Sequence, residues 1–150
     1  MKTYVLMISR TFPASHPKKG QRTNFISAMW HADKLHTIRA NYPLWEKRIK
    51  EVQEGKAILS IRYWEDIPYR SKQVECMQFV QHSDLWIQKL VFSDNDFHQA
   101  VIDADSMLIR PSLYSLAKND FLSISDFKLW FKKYDKTKPM AIIHFTQFRY

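Results

Sequence analysis

A chain of 150 residues has the length of one domain, here residues 1–150, and can bury most of the apolar surface it exposes when unfolded. Its two glycines, Gly20 and Gly55, are too few for a glycine-rich phosphate loop, and a single cysteine, Cys76, excludes an internal disulfide. The formal net charge of +8 points toward phosphate-bearing partners, which a basic protein attracts at long range.

In chain order, the apolar run Met1–Ile8 is short and is followed by no small-residue cleavage site, so a first strand over Tyr4–Ser9 is expected rather than a signal peptide. Phe12–Arg22, with Pro13, Pro17 and Gly20, reads as loop. Thr23–Trp30 reads as a helix capped by Thr23. Pro43 opens a second helix, with Leu44, Trp45, Ile49 and Val52 on one face and Gly55 past its end. Ala57–Trp64 is a strand signal rich in β-branched and aromatic residues, and Gln73–Gln81 and Leu85–Phe92 read as two more. Pro111–Lys118 suggests a short helix, and Ser123-Ile124-Ser125-Asp126 opens another with a capping-box pattern. Lys138–Tyr150 closes as a strand with Met140, Ile142 and His144 on one side and Ile143 and Phe145 on the other. Helices interleaved with alternating strands predict an α+β fold whose strands form one mostly antiparallel, curled sheet. No run approaches 18 apolar residues, so no membrane span is expected, and a lone thiol fits a reducing, cytoplasmic compartment.

The densest chemistry lies in Lys34-Leu35-His36-Thr37-Ile38-Arg39. If the stretch is extended, Leu35, Thr37 and Arg39 share one face and Lys34, His36 and Ile38 the other. Lysine and threonine three residues apart can meet across a bend, to bind an anion or to activate a hydroxyl nucleophile. An ordinary basic loop is the plainer alternative.

Lys34–Arg39, followed by the strand Leu59–Trp64 with Arg62 and Tyr63, resembles the ASCH family of the PUA-like superfamily, which carries a Lys-x-x-Thr-Ile-Arg element and then a barrel strand with an arginine and an aromatic. Ala117–Ser123, leading into a helix, and the strand around Ile143–Phe148 match further features of that family in order. The resemblance implies a PUA-like curled antiparallel β-barrel with flanking helices and a cleft that binds RNA or modified nucleosides. One bacterial branch removes the acetyl group from N4-acetylcytidine with a lysine, a threonine and a glutamate; the matching positions here are Lys34, Thr37 and Asp120, the last one methylene shorter.

The expected cleft is therefore lined by Lys34, Thr37 and Asp120 as catalytic candidates, with Arg39, Arg62, Tyr63 and His36 as ligand-binding ones. Read plainly, Asp120 is a turn aspartate before a helix, Tyr63 is packing, and His36 is structural. The six histidines are scattered and no cysteine pair exists, so neither metal nor cofactor is expected. Lys128, Lys132, Lys133, Lys136 and Lys138 form a basic cluster, either a solvated face or part of a nucleic-acid surface. The leading expectation is an RNA- or nucleotide-binding protein with a basic cleft. An amidohydrolase acting on acylated nucleosides and a protein-interaction module with an inert cleft are the alternatives.

Overall fold

The computed structural model describes residues 1–150 and shows an α+β chain. The strands form two sheets rather than one. The first joins β1 (Lys2–Met7), β3 (Ala57–Trp64) and β4 (Gln73–Phe79) in the order β1-β3-β4. The second joins β2 (His36–Arg39), β8 (Met140–His144), β5 (Trp86–Val91), β6 (Val101–Ala104) and β7 (Met107–Ile109), in the order β2-β8-β5-β6-β7. All ladders are antiparallel except β1–β3, which is parallel because a crossover through α1 (Phe25–Trp30), β2 and α2 (Tyr42–Gln53) separates those two strands. No helix is long and apolar enough to cross a membrane.

Most elements follow from local signals. Pro43 sits in the first turn of α2, and Asn41 accepts the Leu44 N–H with its side chain. Gly55, at φ +76° past the helix end, allows the chain to reverse, and a Cβ there would stand 2.8 Å from Gln81 Oε1. Ser112 and Ser123 cap α3 (Leu113–Asn119) and α4 (Ile124–Trp130) by accepting the N–H of Ser115 and Asp126. Three local expectations shift. The closing strand, expected over Lys138–Tyr150, runs only over Met140–His144, and the chain after it bends away. Asn24 directly precedes α1 without a side-chain cap, while the Thr23 hydroxyl accepts the Phe25 N–H at 3.3 Å and donates to the Ser9 carbonyl. Leu44 is largely exposed, so only Trp45, Ile49 and Val52 face inward from α2.

β8 divides the interior. Ala141 and Ile143 face one core, with Leu6, Ile8, Ile49, Leu59 and Ile61; Met140 and Ile142 face another, with Ile38, Leu90, Ile102, Leu116 and Phe127. Every residue of β8 is buried, as expected of a strand covered on both faces. β2 lies beside it, with Ile38 in the second core and Thr37 and Arg39 turned to a small cleft that Ile8 and Phe25 of the first core also line.

Candidate functional site

Backbone bonds set the site. Lys34 follows α1 and its N–H binds the Ala28 carbonyl; the next N–H, of Leu35, binds the carbonyl of Asn119 at 2.8 Å. That bond ties the entry of β2 to the end of α3, where Asp120 caps the helix. Two residues 86 apart in sequence are thereby placed side by side. Lys34 Nζ donates to Asp120 Oδ1 at 2.6 Å and to the Asp120 carbonyl at 2.8 Å, and both side chains are almost wholly buried. The ammonium also lies 4.1 Å from the centre of the Phe25 ring.

Thr37 and Arg39, alternate residues of β2, line the same small cleft as Lys34 and Asp120. Phe25, Trp130, Phe131 and Tyr134 supply much of its apolar wall. The Arg39 Nη2 donates to the Met7 carbonyl at 2.7 Å, while its Nε is buried without a partner. The Thr37 hydroxyl has no partner within the chain either. As it stands, the cleft has room for about one water.

Burial pushes the Lys34 ammonium below the ordinary lysine pKa, and the Arg39 charge adds to that, against the opposing pull of Asp120. Burial alone would raise the Asp120 carboxyl, but Lys34 and His36 together hold it below the usual aspartate value. The site thus keeps a carboxylate charged while loosening the proton on its lysine.

Behind Asp120 lies a second layer. His36 Nδ1 stands 3.8 Å from Asp120 Oδ1, and its Nε2 is 2.6 Å from the Tyr150 hydroxyl oxygen. That hydroxyl also accepts from Asn119 Nδ2 at 3.1 Å and has the Ser115 carbonyl at 3.5 Å, while His36 Nδ1 faces Asp120 beyond hydrogen-bond distance. His144 pairs with His36 across β2 and β8, their rings 5.5 Å apart. Gln88 grips the Tyr150 backbone, donating to its carbonyl at 3.2 Å and accepting its N–H at 3.0 Å; the same Gln88 oxygen accepts from His144 Nε2 at 2.9 Å. His144 is thus neutral, with an unpartnered Nδ1, and burial, helped by His36 and Arg149, pushes its pKa down to about 2.

Of the residues singled out in the sequence, Lys34, Thr37, Arg39 and Asp120 converge, and His36 stands behind them rather than in the cleft. Arg62 and Tyr63 do not reach it. They belong to β3 in the other sheet, where Arg62 donates to Ser60 and Gln73 and Tyr63 lies under Arg10. Lys136 leaves the basic cluster: it is buried, and its Nζ donates to the carbonyls of Phe131, Lys132 and Tyr134. His144, Tyr150, Gln88 and Asn119 carry no local signal: His144 reaches His36 through the β2–β8 register, Asn119 through the Leu35 backbone bond, and Tyr150 through Gln88 of β5. Asp94, Asp96 and His98 lie close enough together to hold a cation, on an exposed turn away from the cleft. No family model, no curated protein and no solved structure matches the chain.

Proposed function

We propose that the chain is an ASCH-type protein of PUA-like architecture that binds RNA or a modified nucleoside in the cleft of Lys34, Thr37, Arg39 and Asp120, and that it works in the cytoplasm. The observation that carries the reading is the buried Arg39 Nε, left without an internal partner among aromatic walls, beside the Thr37 hydroxyl and a buried ion pair. Buried polar groups are normally satisfied, and those left open at a cleft suit a ligand's polar edge. Aromatic rings beside them suit the flat face of a base. The two sheets are the two arms of the curled barrel in this reading. Because the cleft is closed to water size, a base enters only if the wall opens. Trp130 of that wall is itself packed by Phe12 and His16 of the loop Phe12–Gln21, whose Lys18 pairs with Asp126, so opening on that side must part these contacts.

The lowered Lys34 pKa favours a second reading, hydrolysis of an acylated base. The Thr37 oxygen attacks the acyl carbon, Lys34 in its neutral form takes the hydroxyl proton, and that proton passes to the amine of the departing base as the C–N bond breaks. Water then releases the acyl group from Thr37 as the free acid. Asp120 orients the lysine throughout.

The test is to incubate the protein with N4-acetylcytidine, following both binding and release of acetate, beside Thr37→Val and Lys34→Met. Binding of nucleoside or single-stranded RNA that weakens in Lys34→Met is expected for a reader. Acetate release lost in both variants assigns an enzyme. Neither binding nor turnover leaves a protein-interaction module with an inert cleft and overturns both readings.

A further inference from the structure

A second, wider groove opens beside the cleft, between the turn that joins β2 to α2 and the segment that joins α4 to β8. Its volume is about 1040 Å³, counting the open mouth. Asn41 and Pro43 form one wall; Lys133, Tyr134, Lys138 and Pro139 form the other. Tyr134 lines both spaces, and Arg39 of the cleft is followed directly by Ala40 of the groove. The two spaces therefore share a wall.

The chemistry of the groove differs from that of the cleft. Its lining takes apolar surface from Pro43, Pro139, Met140 and Tyr134 and includes two exposed lysines, Lys133 and Lys138. Neither Lys133 nor Lys138 takes part in an ion pair. Asp135 stands in the same wall as a carboxylate kept charged by the N–H and hydroxyl of Thr137 and by nearby Lys138, so two cations face one anion there. The first turn of α2 adds no free donors, since the Tyr42 N–H binds the Pro139 carbonyl, Pro43 has none, and the Leu44 N–H binds Asn41. The lysines are thus what the groove offers an anion.

Apolar and aromatic lining beside two free lysines suits a sugar and base joined to a phosphate. We infer that the groove holds the nucleotide adjoining the one whose base enters the cleft, with Lys133 and Lys138 on the linking phosphate and Tyr134 beneath the adjoining sugar or base. The inference rests on the nucleoside-binding reading of the cleft and deepens it: the ligand is a stretch of single-stranded RNA rather than a free nucleoside.

The experiment compares the four ribonucleosides, the sixteen dinucleoside monophosphates and a mixed single-stranded RNA hexamer by titration at several salt concentrations. The proteins are wild type and Lys133→Gln/Lys138→Gln, both lysines being exposed so that the variant folds. The best dinucleotide should bind about tenfold more tightly than its parent nucleoside at low salt. The double variant should remove that advantage, flatten the salt slope, and leave nucleoside affinity within about twofold. A nucleoside that binds as tightly as its dinucleotides, or a dinucleotide advantage that survives the double substitution, overturns the groove while leaving the cleft reading intact. Binding of none of the probes overturns both.

Discussion

Lys34 and Lys136 are each 1% exposed, and each points its ammonium at backbone carbonyls, yet their surroundings differ in kind. Lys136 is enclosed by carbonyls of its own neighbourhood, Phe131, Lys132 and Tyr134, and by the ring of Phe97 at 4.7 Å. It closes the end of α4, where a cation is favoured by the carbonyls the helix leaves open. Lys34 is held by a carboxylate from the far side of the chain and faces a cleft with a free hydroxyl and a half-satisfied guanidinium. A buried cation whose partners are all nearby carbonyls is scaffold. One paired through a distant carboxylate, with polar groups left open beside it, is what the proposed ligand site requires. The two regions should respond differently to substitution and to acid.

The largest effect should come from breaking the Lys34–Asp120 pair on one side. Asp120→Ala leaves the ammonium buried with one carbonyl and the Phe25 ring, and a loss of about 3–5 kcal/mol in urea unfolding at pH 7 is expected. Replacing both partners, Lys34→Met with Asp120→Leu, should recover most of it, because an apolar pair of similar volume removes both desolvation costs. If Asp120→Ala cost under about 1 kcal/mol, the ammonium would already be stabilised by its other contacts, and the contrast with Lys136 would vanish.

Acid separates the regions next, because carbonyls do not titrate. His144 is neutral in the folded chain, pushed by burial to about 2, while in the unfolded chain it takes up a proton near 6.5. His36 is lowered too, burial outweighing Asp120. Below pH 6.5 the unfolded chain therefore binds more protons, and stability falls as pH falls, by up to about 1.4 kcal/mol per pH unit for each histidine. Asp120, held low by Lys34 and His36, contributes stability that is present at neutral pH and lost only as pH drops through its native value. Urea midpoints from pH 7 to pH 5 should decline, and His144→Gln should lessen the decline by about one proton. A midpoint flat across that range would mean that His144 is not buried neutral.

Lys136→Met should cost less, about 1–3 kcal/mol, since it strips a donor from three carbonyls but strands no charge. At this chain length that lowers Tm by about 2–4 °C for each kcal/mol. Nucleoside binding should stay within about twofold of wild type, and a larger loss would make Lys136 part of the site through Phe131 and Tyr134.

The contrast between the two lysines was invisible in the sequence, and the reason is physical. Lys136 stands among Lys132, Lys133 and Lys138 in a polar, charged stretch, and only the turn after α4 folds it inward. Signals that act over a few residues did show through: β3 has the bounds its alternation predicts, Ser123 caps α4, and Gly55 ends the turn after α2. The convergence of Lys34, Thr37, Arg39 and Asp120 was legible from the order of short motifs. Long-range pairing was not. The parallel β1–β3 ladder and the β2–β8 register depend on which strands meet, and strand composition does not encode that. The small hairpin of β6 and β7 carries exposed Met107 and Leu108 and an Asp105-Ser106 turn, a pattern too short to stand out.

The smallest effect on stability should come from Thr37→Val, and it is the sharpest test of the comparison. Valine keeps the β-branched shape that suits β2 and exchanges only the hydroxyl for a methyl. A hydroxyl that donates to or accepts from a neighbour takes about 1 kcal/mol with it when removed. The Thr37 hydroxyl has no such neighbour, so stability should change by less than about 0.5 kcal/mol and Tm by no more than about 2 °C. The same substitution removes the only nucleophilic hydroxyl among the converging residues Lys34, Thr37, Arg39 and Asp120, so ligand binding or acyl release at the cleft should fall sharply in a protein that is otherwise intact. A loss of more than 1 kcal/mol would show that the hydroxyl supports the fold, and the cleft around Lys34 would then resemble the closed, self-satisfied surroundings of Lys136.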